Sequence, residues 1–214
     1  MANQTRDKSV TLNPKQALEL LVEGNLRFTQ KKLDEHDRFI VQKELQDAQY
    51  PFASVLGCSD SRTTPELIFD QNHGDIFSVR LAGNIATKEA IGSLEFSTKY
   101  LGAKIVVVLG HSSCGAVKAA CDHFKGGNIG EVIDSINLSV EAEKTIDNQE
   151  ERNSQNNSFV DKVCALNVHT QMQKIIVESS IIQNQIEKQQ VGIVGAVYSL
   201  ASGQVHFDIK NAIF

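Results

Sequence analysis

Ile105-Val106-Val107-Val108-Leu109-Gly110-His111-Ser112-Ser113-Cys114-Gly115-Ala116-Val117 is the stretch that decides the fold. Five successive apolar residues, four of them β-branched, leave no polar position for a wet face. The run therefore reads as a strand buried on both sides, the habit of parallel sheets. It stops at Gly110, and a histidine and a cysteine follow before a helical pattern begins. Phe52-Ala53-Ser54-Val55-Leu56-Gly57-Cys58-Ser59-Asp60-Ser61-Arg62 repeats the arrangement of apolar run, glycine and cysteine. Both polar clusters thus fall at carboxyl ends of strands, where open parallel sheets bind ligands.

Further out, 76–81 and 191–197 are two more apolar runs, and 205–209 alternates as an edge strand does. Asn13-Pro14 makes a helix start, with Ala17, Leu18, Leu21, Val22 and Leu26 at helical spacing over 14–30. Further helices are expected near 65–70, 88–101, 114–124, 130–146 and 158–187, and polar 147–157 reads as a surface loop. The alternation predicts an α/β fold, a central mostly parallel sheet flanked by helices. With 214 residues, of which 41% are hydrophobic, a single domain over 1–214 is expected, its N-terminal helical arm covering about 13–47.

The net charge is −5 and no Lys/Arg block occurs, so no nucleic-acid partner is expected. No signal-like segment stands near Met1 and no apolar run approaches a membrane span. The reading is a soluble, cytoplasmic chain. Four cysteines in this composition do not suggest a disulfide framework. Cys121 and Cys164 fall at helical apolar positions and read as reduced core residues.

Cys58, His111 and Cys114 remain, three soft or borderline ligands on two loops. A structural zinc site is closed by four Cys or His, whereas three leave a position for water or substrate. One buried cysteine or histidine alone would be ordinary core; three at two strand ends read as a zinc enzyme. Gly115 gives close backbone approach. His36, His73, His123, His169 and His206 show no ligand spacing and take surface or core roles.

These two clusters together resemble the β-class carbonic anhydrases. The match extends through Gly74-Asp75-Ile76-Phe77, Arg80, Ala82-Gly83-Asn84, Gly92-Ser93-Leu94-Glu95-Phe96 and Gly195-Ala196-Val197-Tyr198, covering most of 13–209. The resemblance implies Zn2+ and reversible hydration of carbon dioxide to bicarbonate and a proton. Asp60 and Arg62 resemble the family's catalytic pair: Arg62 keeps Asp60 ionised and aims it at the water in the fourth position. Released from Arg62, Asp60 is itself a metal ligand. The well-known case of zinc acidifying water is a carbonic anhydrase with three histidines; two thiolates leave less positive charge on the ion, which makes an acceptor such as Asp60 necessary. By resemblance Phe77, Ala82 and Phe96 line the substrate pocket, Gln49 donates its amide to substrate oxygen and the Gly115 N–H assists. The same resemblance has the N-terminal helix packing on a partner subunit in a homodimer or homotetramer.

One family subset, inactive at neutral pH with its aspartate on zinc, carries a tryptophan three residues before the first zinc cysteine. Val55 stands there and the chain has no tryptophan, so the expected resting state has Asp60 on Arg62. Two rival functions share the site: hydrolysis of carbonyl sulfide or carbon disulfide, decided by pocket access, and a non-catalytic zinc-stabilised interaction domain, opposed by the Asp60-Arg62 pair. A zinc deaminase lacks its H-x-E and P-C-x-x-C signature here, and no Cys-x-x-Cys redox motif occurs.

Overall fold

The computed structural model describes residues 11–35 and 38–214; the reading of the segment at Met1 and of His36 lies outside them. Helix α1 (Pro14–Gln30) starts on a reciprocal cap, in which the Asn13 side chain accepts from Gln16 N and the Gln16 side chain accepts from Asn13 N. A short α2 (Arg38–Glu44) leads to β1 (Ala53–Gly57). Then come α3 (Pro65–Ile68), β2 (Ile76–Arg80), α4 (Lys88–Phe96) and β3 (Ile105–His111). After them follow α5 (Gly115–Cys121), α6 (Gly127–Ala142), α7 (Asn157–Glu178), α8 (Ser180–Glu187), β4 (Gly192–Tyr198) and β5 (Val205–Phe207).

The strands form one sheet in the order β2-β1-β3-β4-β5. The first four are mutually parallel and β5 is antiparallel at the edge. Alternation along β3 explains both faces. Ile105, Val107 and Leu109 join Val55, Val194 and Ala196 beneath Ala17, Leu18 and Leu21 of α1. Val106 and Val108 face Ala90, Ile91 and Leu94 of α4 and Val168, Met172 and Ile175 of α7. The chain leaves β1 toward β2 on one side and returns to β3 on the other. The carboxyl ends of β1 and β3 therefore border a topological switch point, a crevice that loops on both sides can line.

Several boundaries differ from expectation. The helix expected over 88–101 changes to a π-helix at Ser97–Leu101, where the Ser97 and Thr98 hydroxyls donate back to Leu94 O. The stretch 158–187 is broken at Ser179, whose hydroxyl accepts from Ile182 N and donates to Glu95 Oε1. The helix near 130–146 runs from Gly127 to Ala142. Helix α1 packs its Ala17, Leu18 and Leu21 face onto its own sheet and leaves Val22 and Leu26 exposed.

Arg152, in the expected surface loop over 147–157, forms an ion pair with the buried Glu143 that ends α6. Glu143 is 2% exposed, and Arg152 Nη1 donates to its Oε2 at 2.9 Å and to the carbonyls of Glu143 and Ile146, while Nη2 donates to Val140 O. The Arg152 guanidinium also lies 4.7 Å from the centre of the Phe159 ring. Burial alone would raise the Glu143 carboxyl, but donors from Thr145 and Ile146 outweigh it and hold it below the ordinary glutamate value. Its contribution to stability is thus complete above that value and lost as pH falls through the lowered folded value. Arg152→Ala leaves a buried charge uncompensated. It should cost roughly 3 kcal/mol, about 6–12 °C in Tm, with the loss shrinking in acid where Glu143 is protonated; a thermal melt unchanged at neutral pH contradicts this.

Candidate metal centre

Cys58 follows the last residue of β1, His111 is the last residue of β3 and Cys114 precedes the first turn of α5. Their ligand atoms lie within 4.8 Å of one another. The two sulfurs are 3.9 Å apart, close to the separation of about 3.8 Å that two thiolates take on a tetrahedral zinc with Zn–S near 2.3 Å. His111 Nδ1 lies 3.0 Å from Ser112 O. A carbonyl only accepts, so Nδ1 carries the proton and Nε2 presents a lone pair. That Nε2 is buried and has no hydrogen-bond partner, a costly state unless a metal takes it.

Proton bookkeeping at the sulfurs agrees. The Cys114 thiol, hydrogen-bonded to Cys58, is the main cause lowering Cys58; burial opposes it, and His111 and the backbone at Asp60 and Gly83 assist. The same contact raises Cys114, and burial adds to that. Two adjacent sulfurs and an imidazole nitrogen make a donor set that fits a soft dication. Cys121 and Cys164 are pushed up to about 12, chiefly by burial, and remain thiols.

Asp60 sits beside this group, Oδ2 3.9 Å from His111 Nε2. Arg62 grips it with three donors: Nε to Oδ1 at 2.9 Å, Nη2 to Oδ2 at 2.7 Å and backbone N to Oδ1 at 2.9 Å. The guanidinium holds the carboxyl well below the usual aspartate range. Asp60 is therefore an anion turned toward Arg62.

The sequence reading missed three groups that position these loops. Arg80 donates from Nε to Cys58 O at 3.0 Å and from Nη2 to Asp60 O at 2.6 Å, spanning Ser59. Gly83 N–H donates to Cys58 Sγ at 3.3 Å; its φ is +70° and an added Cβ would meet Ile136 at 2.6 Å, so only glycine fits. Cys164 donates to His111 O at 3.2 Å. Arg80 pairs with Gly57 across the parallel ladder, a register that spacing alone does not reveal. Arg80→Met should keep the metal but lower kcat/KM about 10–100-fold, the usual cost of losing a partner that orients ligands; unchanged kinetics would show that the ladder around Ser59 suffices.

The five expected pocket residues divide. Ala82 and Gly115 are exposed beside Gly83 and Cys114, and a Cβ on Gly115 would meet nothing within 4 Å. Gln49 lies before the amino end of β1, in a 740 Å³ cleft with Tyr50, Lys99 and Tyr100. The five residues of β1 separate it from Cys58 by about 15 Å. Phe77 pairs with Ser54 near that same end, with its ring 6.3 Å from Phe96, which in turn is 5.5 Å from Tyr100. Phe96 is 48% and Tyr100 77% exposed. One chain does not bring Gln49, Phe77 or Phe96 to Asp60.

A profile of the carbonic anhydrase family matches residues 53–205. Carbonic anhydrase 2 of Mycobacterium tuberculosis is 33% identical over 198 residues, 90% of this chain and 91% of that protein. The carbonic anhydrase of Mycolicibacterium smegmatis is 34% identical over 199 residues, 90% and 92%. Among solved structures, a Coccomyxa β-carbonic anhydrase in complex with acetazolamide superposes with TM-score 0.70 at 24% identity, covering 92% of this chain and 87% of that one. One of two tetrameric β-carbonic anhydrases of Sordaria macrospora gives 0.69 at 21%, covering 92% and 98%. With sequence and fold in agreement, this chain belongs to the β class of the carbonic anhydrase family.

Proposed function

We propose that the protein hydrates carbon dioxide reversibly to bicarbonate and a proton, as a carbonate dehydratase with Zn2+ held by Cys58, His111 and Cys114. The observation that carries this reading is the bare, buried His111 Nε2 facing two sulfurs, with an ionised Asp60 alongside. When bound, the metal polarises a water and makes it nucleophilic near neutral pH. Asp60, immobilised by Arg62, accepts that water's hydrogen bond and turns a lone pair toward the carbon. The exposure of Ala82 and Gly115 beside the metal ligands supports their role in receiving a small neutral substrate, with the Gly115 N–H as a donor to its oxygen. Stopped-flow hydration of carbon dioxide by zinc-loaded protein, with carbonyl sulfide run alongside, tests this. Carbonyl sulfide turnover without carbon dioxide hydration would overturn it.

The chain acts as one domain over 1–214 and as a homodimer or homotetramer, in the cytoplasm. Half-buried Phe77 on the edge strand β2 packs on exposed Phe96, and exposed Gln49 shares a cleft with Tyr100 beside them; their distance from their own Asp60 supports a pocket completed by these residues from a second copy. Val22 and Leu26 of α1 offer further apolar surface for that partner. No described helix is long and apolar enough to cross a membrane. Light scattering at micromolar concentration should find at least a dimer; a monomer with full activity contradicts the shared pocket.

A further inference from the structure

Beyond hydration, the two sulfurs form a dithiol. Cys58 Sγ and Cys114 Sγ are 3.9 Å apart, lie on two different loops and are 6% and 1% exposed. We infer that hydrogen peroxide closes this pair to a Cys58–Cys114 disulfide and thereby expels the metal, a reversible oxidative switch at the site. The metal-loss half rests on the zinc reading above; the dithiol half rests on geometry alone. Closing to the covalent S–S separation of about 2.05 Å needs an approach of about 2 Å. Both side chains stand beyond their strand ends, outside the ladder, where side-chain rotation can supply it.

Three observations favour this pair over the other two cysteines. Cys58 Sγ accepts from Gly83 N–H at 3.3 Å, has Cys114 Sγ 3.9 Å away and, at 6% exposed against 1%, is the more accessible sulfur of the two. Asp60 is turned to Arg62, leaving the approach to the sulfurs clear of its carboxylate, and peroxide is small and neutral, as carbon dioxide is. Cys164 has its S–H engaged by His111 O, and Cys121 is held on the core side of α5, where it is buried with Val117 and Ala120.

The chemistry balances. In the metal-free dithiol, Cys58 sulfur attacks one peroxide oxygen, the O–O bond breaks and the departing hydroxide takes the Cys58 proton to leave as water, giving a sulfenic acid. Cys114 sulfur then attacks that sulfur, the S–S bond forms as S–O breaks, and the thiol proton departs with the oxygen as water. Two thiols and one peroxide become one disulfide and two waters; in the zinc-loaded form, where both sulfurs would be thiolates, the products are one disulfide, two hydroxides and the freed Zn2+. The peroxide oxygens are reduced and each sulfur gives up one electron. His111 alone is then a poor metal site.

Zinc-loaded and zinc-stripped protein are treated with hydrogen peroxide and followed by intact mass, non-reducing peptide mapping and a chromogenic zinc chelator. The expected result in both forms is a mass two hydrogens below that of the fully reduced, metal-free chain, with a peptide linking Cys58 to Cys114, release of the bound zinc from the loaded form and reversal by dithiothreitol. The double variant Cys121→Ala/Cys164→Ala should retain the link and Cys114→Ala should abolish it. A link to Cys121 or Cys164, or sulfinic acid at Cys58 with Cys114 still a thiol, overturns the pairing. A link in the stripped form with none in the loaded form overturns the metal-coupled switch. If purified protein holds no zinc, the proposed function fails while the stripped-form result still decides the dithiol.

Discussion

Cys114→Ser protein should purify essentially free of zinc. A serine hydroxyl is a hard, protonated donor, and in this site it would face Cys58 Sγ across the present 3.9 Å without offering a second thiolate. Loss of an orienting partner already costs about 10–100-fold in metal affinity, and loss of a ligand should exceed that. The fold should persist, because Cys114 caps the short helix α5 without any side-chain hydrogen bond to its backbone and the sheet core lies beneath. Elemental analysis finding one zinc per chain in Cys114→Ser would sink the ligand assignment.

The second large effect is at Asp60. Asp60→Asn removes the negative charge and turns one oxygen into an NH2 donor facing the Arg62 guanidinium. It should keep the metal yet lose about 10²–10⁴ in hydration rate, the usual span for a proton acceptor in the transition state. Arg62→Ala acts differently. It frees a carboxylate whose Oδ2 already lies 3.9 Å from His111 Nε2, so Asp60 should swing into the fourth position and block turnover while zinc is retained. X-ray absorption at the zinc edge should then gain a carboxylate oxygen. Near wild-type activity in Arg62→Ala would show that Asp60 does not need its clamp.

What could be read from the sequence follows the chemistry that is local. The buried run Ile105–Leu109 has no polar alternate positions, so its strand, its parallel setting and the placement of His111 at its carboxyl end were legible. Cys58 at the end of another apolar run then put a second ligand at a strand's carboxyl end, while the switch point between the two strands is visible only in the sheet order. Contacts across register were not legible: nothing near Arg80 announces that it holds Cys58 O and Asp60 O, and nothing in the polar stretch 147–157 announces that its Arg152 pairs with a buried Glu143. Ser179 reads as one polar residue in a long helical pattern, and only its hydrogen bonds to Glu95 and Ile182 N explain the break. Gln49, Phe77 and Phe96 came from resemblance, which names residues without saying from which copy they reach a pocket.

The account turns on a site that is open, with Asp60 held by Arg62, near neutral pH. The direct measurement is the pH profile of carbon dioxide hydration by zinc-loaded wild-type protein. Because Arg62 holds the Asp60 carboxyl well below the usual range, its protonation should not limit the rate anywhere near neutrality, and hydration should be measurable there and change smoothly toward alkaline pH. Silence at neutral pH with an abrupt onset only in alkaline solution would contradict the account.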